Sequence, residues 1–86
     1  MIKIWAKTVK NHKIARQCVL ERFGKYDAAD FFDYLVELCG ELDAPTPVIL
    51  KSHTSNFAKF NHVAFSKGDF MENVNFDRLI LENISY

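Results

Sequence analysis

Three glycines and two prolines are all that this chain of 86 residues contains, too few for a flexible linker, a low-complexity tail or a disordered segment. No glycine-rich phosphate loop, GxSxG elbow or HExxH pair occurs, which removes the commonest sequence-borne signatures of nucleotide, acyl-transfer and zinc chemistry. The two cysteines, Cys18 and Cys39, lie inside apolar runs without CxxC spacing. They read as reduced core thiols of a cytoplasmic protein. No apolar run approaches the ~18 residues of a membrane span, and the start of the chain alternates polar with apolar residues, so neither a signal peptide nor a membrane partner is expected. Net charge is also lacking: formally it is zero, with an isoelectric point near 6.8, whereas dedicated nucleic-acid binders are usually far more basic.

What the chain has in quantity is apolar and aromatic surface. Hydrophobic residues make up 49% and aromatics 14%, including eight phenylalanines, which supports one folded domain over 1–86. That is more aromatic area than so small a core hides, which points to self-association or another protein partner. The zero net charge conceals a partition. Residues 1–25 carry seven basic groups against Glu21 alone, and residues 27–43 carry six acidic groups and no basic one.

Two apolar-periodic runs between Ile2 and Phe23 flank Asn11-His12, which predicts an antiparallel hairpin with those two residues as its turn. With that turn Val9 faces Ile14, Trp5 faces Cys18 and Ile4 faces Val19. Ile2, Ile4, Ala6, Ala15 and Val19 then form a core side, with Lys3, Trp5, Lys7 and Arg16 opposite. Ile14, Ala15, Cys18, Val19 and Phe23 also fit helical spacing, so a helix over 13–23 is the competing reading. Residues 28–42 form an amphipathic helix, with Asp27 as N-cap, Phe31, Leu35, Leu38 and Leu42 on one arc and Asp30, Asp33, Tyr34, Glu37 and Glu41 on another. Gly40 and Pro45 end it. Thr46 and Pro47 suit the start of a second helix over 47–60, with Ile49, Leu50, His53, Phe57 and Phe60 on one side; a strand over 48–51 is the alternative. Strands follow over 62–67 and 76–84, the latter with Leu79 and Leu81 on one face. The sum is an α+β domain, ββααββ along the chain: an antiparallel sheet of about four strands with two helices on one face.

The run PTPVILKSH, with Phe57, Phe60, Phe65, Gly68-Asp69-Phe70, VNFDRL and Leu81-Glu82, together with the opening IKIWAKTVK, resembles a family of small bacterial proteins with no assigned function. These positions determine a fold and carry no active site.

The candidate interaction surface comprises the hairpin residues Lys3, Trp5, Lys7 and Arg16, the helix residues Asp33, Glu37 and Glu41, and Phe70, placed in a turn as an exposed aromatic anchor. The acidic stripe can meet a basic hairpin in the same chain or in a second copy. This pattern predicts a non-catalytic protein-interaction module, dimeric or docking another protein. A nucleic-acid binder that stacks a base on Trp5 is the alternative. His53 and His62 read as packing or surface residues, and a metal site joining them to Cys18 or Cys39 lacks ligand spacing, so no cofactor is expected.

Overall fold

The computed structural model describes residues 1–85. Four antiparallel strands form one sheet, β1 (Ile2–Lys10), β2 (Lys13–Arg22), β3 (His62–Ser66) and β4 (Arg78–Asn83), in the order β2-β1-β4-β3. Two helices, α1 (Phe31–Glu41) and α2 (Lys51–Phe60), separate the strand pairs along the chain. The α+β class and the ββααββ order are as the sequence predicts, and residues 13–22 are strand, not helix.

Asn11 and His12 both take the left-handed conformation, with φ of 53° and 65°, the requirement of a two-residue hairpin turn whose twist matches its strands. The Asp77 carboxylate accepts from the Asn11 N–H at 2.9 Å and holds the turn against the loop leading into β4.

The register departs from expectation one step past the turn. Val9 faces Ile14 as predicted, but a bulge between Thr8 and Val9 shifts the remainder, so that Thr8 faces Arg16, Ala6 faces Cys18, Trp5 faces Val19 and Ile4 faces Leu20. Because strand side chains alternate faces, this single extra residue exchanges the two sides of β2. Cys18 and Leu20 join the core side, and Val19 moves to the other face. Arg16 leaves the face of Lys3, Trp5 and Lys7.

Helix α1 begins with a short 3₁₀ turn, Ala28–Asp30, capped by Asp27, whose carboxylate accepts from the Ala29 N–H at 2.9 Å. Phe31, Leu35, Leu38 and Cys39 are its buried residues. The helix stops through Asp43, which turns left-handed at φ 54° while the Ala44 N–H returns to the Cys39 carbonyl at 2.9 Å; Gly40 lies within the helix. Helix α2 starts at Lys51, later than Thr46-Pro47 suggest; Leu50 before it is extended, and the Val48 N–H bonds the Asp69 carbonyl, 2.7 Å away. Its first turn is capped by His53, whose Nδ1 accepts from the Leu50 N–H at 3.0 Å.

The core lies between the helices and one side of the sheet, where Ile2, Ile4, Ala6, Leu20, Val63, Phe65, Leu79 and Leu81 meet Phe31, Leu35, Leu38, Phe57, Phe70 and Phe76. Burial of this order supplies most of a small domain's stability, at about 25 cal/mol per Å² of apolar surface. Strand β1 is central, flanked by β2 and by β4, and Lys3 is tied to Ser85 through a 2.7 Å backbone-to-hydroxyl hydrogen bond. Among the described residues no helix is long and apolar enough to cross a membrane.

Candidate interaction surface

The sheet has one face under the helices and one open. On the open face β1 places Lys3, Trp5 and Lys7, and the second row across the four strands reads Val19, Trp5, Glu82, His62. The indole is anchored at its edge, Nε1–H donating to Gln17 Oε1 at 3.0 Å. Lys7 Nζ stands 3.9 Å from the ring centroid, an ammonium over the π face, and reaches Glu82 Oε1 at 3.1 Å. Lys3 Nζ pairs with Glu21 Oε1 at 3.4 Å. Both lysines of the expected cationic surface are thus matched by carboxylates within the sheet, and one side of the tryptophan is occupied by its own neighbour.

Arg16 belongs to the opposite face. Its N–H donates to Thr8 Oγ1 at 3.2 Å, fixing the bulge, and its side chain lines a small cleft with Lys10, Leu42 and Asp43. Among the described residues it makes no ion pair.

Helix α1 lies alongside β2 on this face. Arg22 and Glu37 form an ion pair between them, so the acidic stripe and the basic hairpin do meet within one chain, at one point. Beside that pair runs a groove of about 250 Å³, floored by Cys18, Leu20 and Leu38 and walled by Glu37 and Glu41. Glu41 and Asp33 have no ion-pair partner among the described residues. A second depression adjoins it at Glu21 and Arg22, bordered by Met1 and Phe23. Phe23, at the end of β2, is 91% exposed.

Phe70 is not the exposed anchor that its turn position suggests. It is 8% exposed and packs edge-to-face on Phe76, ring centres 5.4 Å apart. The 3₁₀ turn Lys67–Asp69 before it directs the chain inward. Among the described residues the exposed aromatics are Phe23, Phe32 and Phe60. Phe60 and Leu50, expected on the apolar side of α2, are exposed: Leu50 precedes the helix, Phe60 is its last residue, and its buried residues are His53 and Phe57. Exposed Phe32 had one signal in sequence: it falls outside the residue sets that periodicity assigns to strand or helix cores, whereas Phe23 fits only the helical alternative over 13–23.

The thiols sit in surroundings that suppress reactivity. Burial pushes Cys39 up to about 11, with the neighbouring Cys18 adding to the shift. Cys18 is raised as well, by burial first and then by the Glu41 carboxylate. A thiol is nucleophilic only as thiolate, so neither is activated. The histidines do not share a site. His53 packs on Phe65 under the helices at 4.4 Å between ring centres, with Nδ1 taken by the Leu50 N–H and Nε2 3.6 Å from Asp69. His62 lies on the open face beside Glu82. Tyr26 stacks between Tyr34 and Phe57, and its buried hydroxyl has no hydrogen-bond partner among the described residues.

Of the expected surface residues, the structure groups Lys3, Trp5 and Lys7 on one face and Glu37 and Glu41 along a groove on the other. It places Arg16 on the groove's side of the sheet, nearer the turn. Compared with models of protein families, with curated proteins and with solved structures, the chain matches none, so its function is read from its own residues.

Proposed function

We propose that this chain is a small protein-interaction module without catalytic activity, and that its docking surface is the outer edge of β2 with the groove between that strand and α1. The observation that carries the reading is the condition of β2. It is a ten-residue strand at the edge of the sheet, and only Leu20 along it is buried. Its outward backbone N–H and C=O groups face no further strand, an arrangement that natural proteins either blunt or use for pairing. The adjoining groove combines an apolar floor with carboxylates in its wall, and Phe23 supplies an exposed aromatic at its end, the type of residue in which interface energy concentrates. The raised thiols and the tied-up His53 add no activated nucleophile or base.

A nucleic-acid reading has less support. Neutralising phosphates requires cations not already paired, and Lys3 and Lys7 each hold a carboxylate. Base stacking on Trp5 has to compete with the Lys7 ammonium over the same ring.

The test is affinity capture from a cell extract with the native chain and with a Glu37→Lys/Glu41→Lys double variant, followed by binding assays with each purified candidate. The reading expects at least one protein bound directly by the native chain and lost in the variant. Direct partners that bind both forms equally, or no partner at all with a second copy of the chain counted as one, overturn it. Titration with single-stranded DNA and RNA at low salt is expected to leave Trp5 fluorescence unchanged; salt-sensitive quenching shifts the function to nucleic acid.

A further inference from the structure

We infer that the partner fitted by the β2 edge is a second copy of this chain, paired strand to strand about a two-fold axis through Cys18, with Arg16 of each copy seated in the groove of the other. The inference rests on the docking surface proposed above and names its occupant.

The constraint comes first from geometry. Antiparallel pairing of a strand with its own copy is the isologous contact that a two-fold generates. Opposed residues in such a pair point to the same side of the sheet, so the register must match the side containing Arg16, Cys18, Leu20 and Arg22 with itself. Lys13 and Ile14 lie beyond the bulge at Ala15, where a bulged strand bends and its twist increases, leaving the run from Arg16 to Arg22 for pairing. With Cys18 opposite Cys18 of the partner, Arg16 falls opposite Leu20 and Gln17 opposite Val19. Leu20 lies midway along the strand residues that line the groove, Cys18 to Arg22. The arriving guanidinium is thereby set between Glu37 and Glu41.

Charge then selects the occupant. Within one chain Arg22 satisfies Glu37, while Arg16 and Glu41 lack ion-pair partners among the described residues. Two copies bring two arginines and two glutamates each to the interface, and the unmatched Arg16 of either copy meets the unmatched Glu41 of the other. Moving the axis one residue along to Val19, the next register that keeps faces matched, sets Arg16 against Arg22 instead and opposes like charges. A charge on the inward side of an edge strand repels an indiscriminate partner strand. Here the same arginine is complementary only to an edge bordered by a suitably placed carboxylate, so it acts for one pairing and against others. Val19 and Phe23 add exposed apolar surface along the same strand.

Sedimentation velocity over a concentration series tests the proposal, with circular dichroism confirming that each variant is folded. The native chain is expected to dimerise. Arg16→Glu and Glu41→Arg, both substitutions of exposed residues, are each expected to weaken the dimer by about ten-fold or more, and the double variant, in which the charges are exchanged, is expected to restore it. A native chain that stays monomeric at the highest concentration, single variants that dimerise like the native chain, or a double variant that stays weakened overturns the self-pairing. A monomer that still captures another protein through a Glu37- and Glu41-dependent contact refutes the second copy as occupant while retaining the docking surface. A monomer with no such capture refutes both.

Discussion

The two edges of the sheet are built differently. Strand β3 has five residues and is backed by α2, which runs into it through left-handed Asn61 at φ 57°. Two of its residues, Val63 and Phe65, are fully buried under the helices. Strand β2 is twice as long, carries three cations and one carboxylate, and buries one side chain. A short edge tucked under a helix has little backbone to offer another chain, whereas a long one with an open groove beside it has much. The difference teaches that this fold covers its β3 edge and leaves its β2 edge bare.

Replacing one apolar residue on each edge measures that asymmetry. Phe65→Ala is expected to lower the unfolding free energy by about 3–5 kcal/mol through loss of buried surface and the cavity left against His53 and Leu79. Val19→Ala on β2 is expected to change it by about 0.5 kcal/mol or less in the monomer; urea denaturation of both variants reads the contrast, and equal effects erase it. Within the β3 half, His53→Ala removes the acceptor at the start of α2 as well as the ring packed on Phe65. A loss of about 1–2 kcal/mol by the same measurement is expected.

On the β2 side, the hairpin tip gives a pH-dependent contribution. The Asn11 N–H, followed by Lys67, holds the Asp77 carboxyl below its ordinary value of 3.8. A carboxyl with a lowered folded-state pKa stabilises the fold above its unfolded pKa, and the contribution disappears as pH falls through the folded value. Asp77→Asn is therefore expected to be less stable than the native chain at neutral pH, with the difference closing as pH drops below the ordinary carboxylate range. Denaturation midpoints of the two proteins across that range check the sign. The smallest effect is expected at the Lys3–Glu21 pair, both partners about half exposed; Lys3→Ala is expected to shift stability by about 0.5 kcal/mol or less.

The legible parts of this molecule were those set by local chemistry. Asn11-His12 marks the turn because asparagine tolerates a positive φ, and the α1 stripe follows from the spacing of Phe31, Leu35, Leu38 and Leu42. Register beyond the turn was not legible. The bulge is a single surplus position in a run of ordinary strand residues, and nothing in the composition of Ala15 or Arg16 announces it, yet it decides which side Arg16 and Val19 occupy. Phe70 and Phe60 exchanged places for a comparable reason. Periodicity tells which residues share a side of an element, but the path of neighbouring segments such as 61–77 decides which side is covered. The acidic side of the candidate surface was legible in Glu37 and Glu41; the groove between them and β2 was not, because it depends on how far α1 stands from the strand.

The central position of β1 carries a consequence for how the molecule assembles. Its neighbour on one side arrives within a dozen residues, as the hairpin, but its neighbour on the other is β4, more than sixty residues further along; the Lys3–Ser85 bond closes a span of 82. Closing so wide a loop early in folding is entropically unfavourable. Until β4 docks, the hairpin is bare along both margins, and any intermediate therefore exposes more pairing edge than the finished protein does. An unfinished form with two bare margins is prone to mispairing, and slow growth at low concentration is the condition under which it should fold cleanly.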